Sequence, residues 1–87
     1  MYNLDLLKCL DALLSSSIYH DYCPNGLQIA GKERIKKVIC GVSLTRELID
    51  IAIAKHADAI IVHHGAFWNK TPYNITGIQY NRIAPII

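Results

Sequence analysis

Leu4, Leu7, Leu10 and Leu14 recur at spacings of three and four, with Asp5, Lys8 and Asp11 on other faces, so residues 3–14 are predicted to form an amphipathic helix. Asn3 is its candidate N-cap, and Ser15, Ser16 and Ser17 pass into a connection. Residues 20–31 begin as a loop. Pro24 removes a backbone donor, Asn25-Gly26 signals a turn, and Leu27-Gln28-Ile29 is a candidate short strand. Residues 35–42 are rich in β-branched side chains and predict a strand, with Gly41 marking a close backbone approach. A helix of about 12 residues should follow, capped by Ser43 or Thr45. Leu48, Ile49, Ala52 and Ile53 form its apolar stripe, and Lys55 and His56 lie at its negative end. The unbroken apolar run of residues 58–63 fits a strand covered on both faces, as in a parallel sheet. A loop with Phe67, Trp68, Pro72 and Tyr73 leads to a helix from about Gly77, which Pro85 should disrupt.

Strand, helix and strand in this order predict a βαβ unit with a right-handed crossover, preceded by a helix. The expected fold class is therefore α/β with a mostly parallel sheet. No internal repeat or low-complexity segment is visible in the 87 residues, which have the length of one small domain. Hydrophobic residues make up 52% of the chain and charged residues 18%, an imbalance that implies apolar surface needing a partner. The apolar ending Ile83-Ala84-Pro85-Ile86-Ile87 has the look of a polypeptide that continues.

A net charge of +2 lacks the dense basic stripe of a nucleic-acid binder, and the cluster Lys32, Arg34, Lys36, Lys37 is broken by Glu33 and Ile35. No nucleic-acid partner is expected. Nor is a membrane partner, because no apolar stretch approaches the roughly 20 residues needed to span a bilayer. Cys9, Cys23 and Cys40 are odd in number and lack C-x-x-C spacing, which argues against a disulfide framework or structural zinc. Reduced thiols and the absence of a signal-peptide pattern point to a cytoplasmic location.

The chemistry is concentrated at His63-His64-Gly65, at the carboxyl end of the second strand, where open α/β sheets gather their ligands. Neutral imidazole is a common ligand of divalent transition metals. Neighbouring side chains of a strand point to opposite faces, so two adjacent histidines do not easily chelate one ion. Each can serve a different ion if the backbone turns, and Gly65 permits that. Pairs of ions roughly 3.5–4 Å apart are the usual arrangement for metal-assisted hydrolysis. The bland alternative is one histidine in the core and the other in solvent. His20 and His56 read as surface or helix-end residues, Asp21 as an Asx-turn residue, and Asp58 as the end of a loop. Phe67 and Trp68 fit core packing as well as they fit a pocket or subunit contact, and Cys40 reads as a small buried hydrophobe.

The segments DYCPNGLQIAG, KKVICGVSLTRELIDIAI and ADAIIVHHGAFWNK, in this order, resemble the GTP cyclohydrolase 1 type 2 homologues. That family is also described as YbgI-like or NGG-interacting-factor-three-like dinuclear metal proteins. The resemblance runs from the first helix to Arg82. It implies that His63 and His64 each ligate one of two divalent ions, with iron, manganese, zinc or magnesium as candidates. It also implies a two-layer α/β fold assembled as a hexameric ring, in which residues 1–87 form a single partial domain, the N-terminal portion. Family members are near 250 residues or more. Their other ligands, an Asp after an H-x-x-L-D type segment and a late His and Glu three residues apart, are not in this sequence, so a truncated form is expected.

Three functions are to be expected on this basis. The first is a metal-dependent hydrolase of the GTP cyclohydrolase kind, for which this segment alone would be inactive. The second is a non-catalytic metal-binding scaffold. The third is an inactive remnant. Expressed by itself, the 87-residue chain should be poorly soluble, since a sheet edge and an apolar ending lack partners. Light scattering and thermal unfolding check this; a stable monomer with a sharp transition overturns it.

Overall fold

The computed structural model describes residues 1–14, 26–67 and 73–87. Expectations for Ser15–Ser17, His20, Asp21, Cys23, Pro24, Asn25, Trp68 and Pro72 lie outside these residues. The element order is α1 (Asn3–Leu14), β1 (Val38–Ser43), α2 (Arg46–Ala54), β2 (Ala59–His64) and α3 (Gly77–Ile86). The fold is α/β. β1 and β2 pair in parallel, with Val38 opposite Ala59 and Ser43 opposite His64, and α2 makes the crossover between them.

The expected strand at residues 27–29 does not form; the segment is irregular. Its polar middle residue, Gln28, spends its side chain on another part of the chain instead. The first strand begins at Val38 rather than residue 35, because the N–H groups of Lys36 and Lys37 are taken by the Asp58 carboxylate (2.9 and 3.0 Å) and not by a strand neighbour. Asp58 also accepts from Lys32 Nζ at 2.9 Å. It thus ties the entry of β1 to the entry of β2, beyond the loop-ending role read from the sequence.

α2 is capped by Thr45, whose side chain accepts from Leu48 N. It is nine residues long rather than twelve. Its end is a Schellman arrangement in which Ala57 N donates to Ala52 O (2.9 Å) and His56 N to Ile53 O (3.0 Å). His56 adopts the left-handed conformation this demands, with φ 56°. Leu48 lies over Gly41, where an added Cβ would come within 2.5 Å of Leu48 Cδ2, so the expected close approach is realised as helix-on-strand packing. Of the expected stripe, Ile49 and Ala52 are buried and Leu48 is half-buried, whereas Ile53 is 51% exposed. Ile53 lies where no described element covers it.

α3 continues through Pro85. A proline has no N–H for the carbonyl four residues earlier, here that of Asn81. Arg46 Nη1 donates to Asn81 O at 2.8 Å, so a side chain from α2 replaces the missing backbone donor. Arg46 Nε also pairs with Asp50 one turn along (2.9 Å).

The core is small. Leu44, Ile49 and Ala66 form its centre, with Ile29, Ile60, Val62, Phe67 and Ile86 packed around them. α1 buries no residue. It is held mainly by backbone bonds at its start: Ile35 N to Met1 O, and Asn3 N to Glu33 O, both 2.6 Å. Asn3 Oδ1 accepts from Leu4 N, giving a partner to one of the helix's first N–H groups. Leu6, Leu7 and Leu10 face a cleft of about 600 Å³ whose other wall includes Ile35, Ile60 and Ile86. Among the described residues the second sheet face is also uncovered: Val42 is 70% exposed, and Cys40, expected to be buried, is exposed. The full burial on both faces expected for residues 58–63 is not reached: residues 59–62, which alternate between the two faces, are each half-buried.

The bonds from Lys32, Lys36 and Lys37 hold the Asp58 carboxyl well below the usual carboxylate range. A depressed native pKa gives stability that is complete above the ordinary Asp value of about 4 and is lost as the pH falls below it. Asp58→Asn should lower the unfolding midpoint at neutral pH and flatten its decline in acid; parallel wild-type and mutant acid profiles contradict this. His56→Gly should raise stability by about 1 kcal/mol by relieving a left-handed residue that carries a Cβ. Denaturant unfolding measures it, and an unchanged midpoint counts against it.

Candidate metal centre

His63 and His64 are the last two residues of β2. Parallel pairing places them level with the end of β1, since His64 is in register with Ser43. The His64 carbonyl accepts from Leu44 N at 2.9 Å, so the strand tip is pinned to the chain leaving β1. Val62 and Ile60 pack on the core, and alternation sends His64 to that same side and His63 to the other. His63 is exposed and His64 half-buried, with its Nδ1 enclosed.

Alternation fixes the Cα–Cβ directions but not the rotamers. The two rings meet edge to face, with centroids 4.4 Å apart and planes at 62°. The adjacent imidazoles thus meet each other instead of diverging. Among the described residues, no group of three or more His, Cys, Asp or Glu side chains is placed to hold a metal ion. Asp58 lies at the opposite end of β2, about 17 Å from His63 and about 20 Å from His64 along the strand. Cys40 is paired with Ile61, nearer the strand's middle. Two imidazoles are a sound partial donor set for transition metals, and any further ligands must come from outside the described residues.

Phe67 resolves toward core packing, against Leu44, Ile49 and Ala66. Two glutamines to which the sequence pattern assigns no role meet at this site. Gln28 Oε1 accepts from Ala66 N at 2.8 Å and from Phe67 N at 3.4 Å, and Gln28 Nε2 lies 3.5 Å from Phe67 O. Gln79 Nε2, from α3, donates to Ala66 O at 3.1 Å. Both peptide groups of Ala66, a residue only 2% exposed, are therefore taken by side-chain amides. A Cβ at Gly65 would overlap Gln28 Oε1, so the glycine makes room for a glutamine. A polar Gln28 between Leu27 and Ile29 is the signal that could have pointed to this contact; Gln79 carries none.

The family described as Duf34/NIF3 (NGG1p interacting factor 3) matches residues 1–87. The chain is 47% identical, over its whole length, to the GTP cyclohydrolase 1 type 2 homolog of Buchnera aphidicola subsp. Baizongia pistaciae. It is 40% identical to that of Escherichia coli strain K12. In each case it spans 35% of the relative's length. Among solved structures, the protein ybgI, described as of unknown function, superposes with a TM-score of 0.95 at 40% identity, over all of this chain and 35% of that one. TTHA1606 from Thermus thermophilus superposes with a TM-score of 0.91 at 33% identity, over 99% of this chain and 36% of that one.

Proposed function

The chain belongs to the Duf34/NIF3 (NGG1p interacting factor 3) family, and from that premise we propose that His63 and His64 each supply one ligand to a pair of divalent metal ions. The observation that carries this reading is the edge-to-face contact of two imidazoles, 4.4 Å apart, at the carboxyl end of a parallel strand. Imidazole donors suit zinc or iron better than magnesium. Bound ions of this kind would polarise a substrate oxygen and make a water nucleophilic near neutral pH. This chain's part is to hold two imidazoles at a strand tip, with His64 partly shielded from solvent and His63 open to it.

The wider reading is a metal-dependent hydrolase acting on a purine nucleotide such as GTP, the nucleotide that appears in its relatives' name, GTP cyclohydrolase 1 type 2 homolog. It acts in the cytoplasm as part of a homo-oligomeric ring. The uncovered apolar surface, with Val42, Ile78 and Ile87 each at least 70% exposed, supports burial against further protein. The same surface equally favours the second reading, a metal-binding scaffold without turnover.

Metal analysis of the intact protein tests the ligand assignment. His63→Ala and His64→Ala should each remove about one ion per chain while the fold is kept. Metal content unchanged in both variants overturns the assignment. Incubation with GTP and manganese, iron or zinc separates the two wider readings: formate release supports the hydrolase, and bound metal without turnover supports the scaffold.

A further inference from the structure

The backbone at and just beyond the histidine pair is fixed by groups remote in sequence. At the pair, Leu44 N holds the His64 carbonyl. Downstream, two carboxamides from separate parts of the chain converge on one residue. Gln28 accepts from Ala66 N, and Gln79 donates to Ala66 O, at 2.8 and 3.1 Å. Gln28 also spans the Phe67 peptide groups on both its N–H and C=O sides, much as a neighbouring strand would. β2 ends at His64, so the next peptide groups have no strand ladder to bond to. The glutamines stand in for that ladder, and they do so just beyond the candidate ligands.

We propose that Gln28, with Gln79 as its counterpart, is a positioning residue for the His63–His64 pair. Its carboxamide locks the chain leaving the strand tip and so sets the direction in which both imidazoles project. Gly65 is part of the same device, because the glutamine oxygen occupies the space a side chain would fill. A pair held in this way loses little freedom when it binds an ion, and loosening such outer supports typically lowers metal affinity about 10- to 100-fold. The effect on affinity rests on the metal reading above; the effect on ring geometry does not.

The test uses the intact protein with Gln28→Met, which keeps the length but removes both polar groups, and Gln28→Glu, which keeps the acceptor for Ala66 N and Phe67 N. Gly65→Ala displaces the glutamine without altering it. In metal-free protein, the imidazole NMR signals of His63 and His64 should shift or broaden in Gln28→Met and Gly65→Ala and largely return in Gln28→Glu. Titration with Zn²⁺ alone, against a competing chelator, should show affinity at least about tenfold weaker in Gln28→Met and Gly65→Ala and no weaker than wild type in Gln28→Glu. Unchanged imidazole signals in folded Gln28→Met overturn the proposal, even if its unfolding midpoint falls, because that would leave Gln28 a purely stabilising role. If wild-type protein binds no Zn²⁺, the metal reading fails, and the NMR comparison alone decides whether Gln28 positions the rings.

Discussion

Parallel pairing of β1 and β2 obliges the chain to leave one strand at its carboxyl end and return to the other at its amino end. The rest of the described structure follows from that return. α2 makes the journey, and Ile49 and Ala52 on its inner face give the sheet a surface to rest on. Leu48 comes close enough to the sheet to exclude a side chain at position 41. Because the strands run the same way and in register, the ends of both strands share one edge, and that edge carries the histidines. An antiparallel pair would place His63 and His64 beside the start of β1, away from Leu44.

The two ends of the sheet are secured by different chemistry. At the amino end, a single carboxylate collects one ammonium and two backbone N–H groups, a charge-assisted arrangement that holds the strand entries together. At the carboxyl end the fastenings are neutral: one backbone bond at His64 and the glutamine amides at Ala66. Neutral amides hold a backbone in place without adding a net charge beside groups that would face cations. Ile49, at 0% exposure, is the most deeply buried side chain among the described residues; truncating such a residue typically costs about 2–5 kcal/mol, a large share of a small domain's stability.

The βαβ order, the parallel pairing, a cap at Ser43 or Thr45 and the close approach at Gly41 were legible because each depends on local pattern: β-branched runs, helical spacing, and a glycine among larger residues. The location of the histidine pair at a strand end was legible for the same reason. What the sequence concealed depends on partners distant in the chain. The convergence of the two rings is a matter of rotamers. Pro85 reads as a helix breaker until Arg46, 35 residues away from Asn81, takes up the carbonyl it leaves. Cys40 reads as buried when the run around it is assumed to be covered on both faces. Gln28 reads as the middle of a short strand until residues 66 and 67 are brought against it.

Arg46 and Pro85 together carry one more implication. The guanidinium is useful at Asn81 because residue 85 has no hydrogen to give, so the two positions constitute a single unit of sequence change. An ancestor or relative with any other amino acid at 85 would restore its helix's own ladder and release the arginine from that duty. One with proline at 85 and a short side chain at 46 would leave a helix carbonyl to be satisfied by solvent. Across homologues, substitutions at these two sites should therefore be found in each other's company.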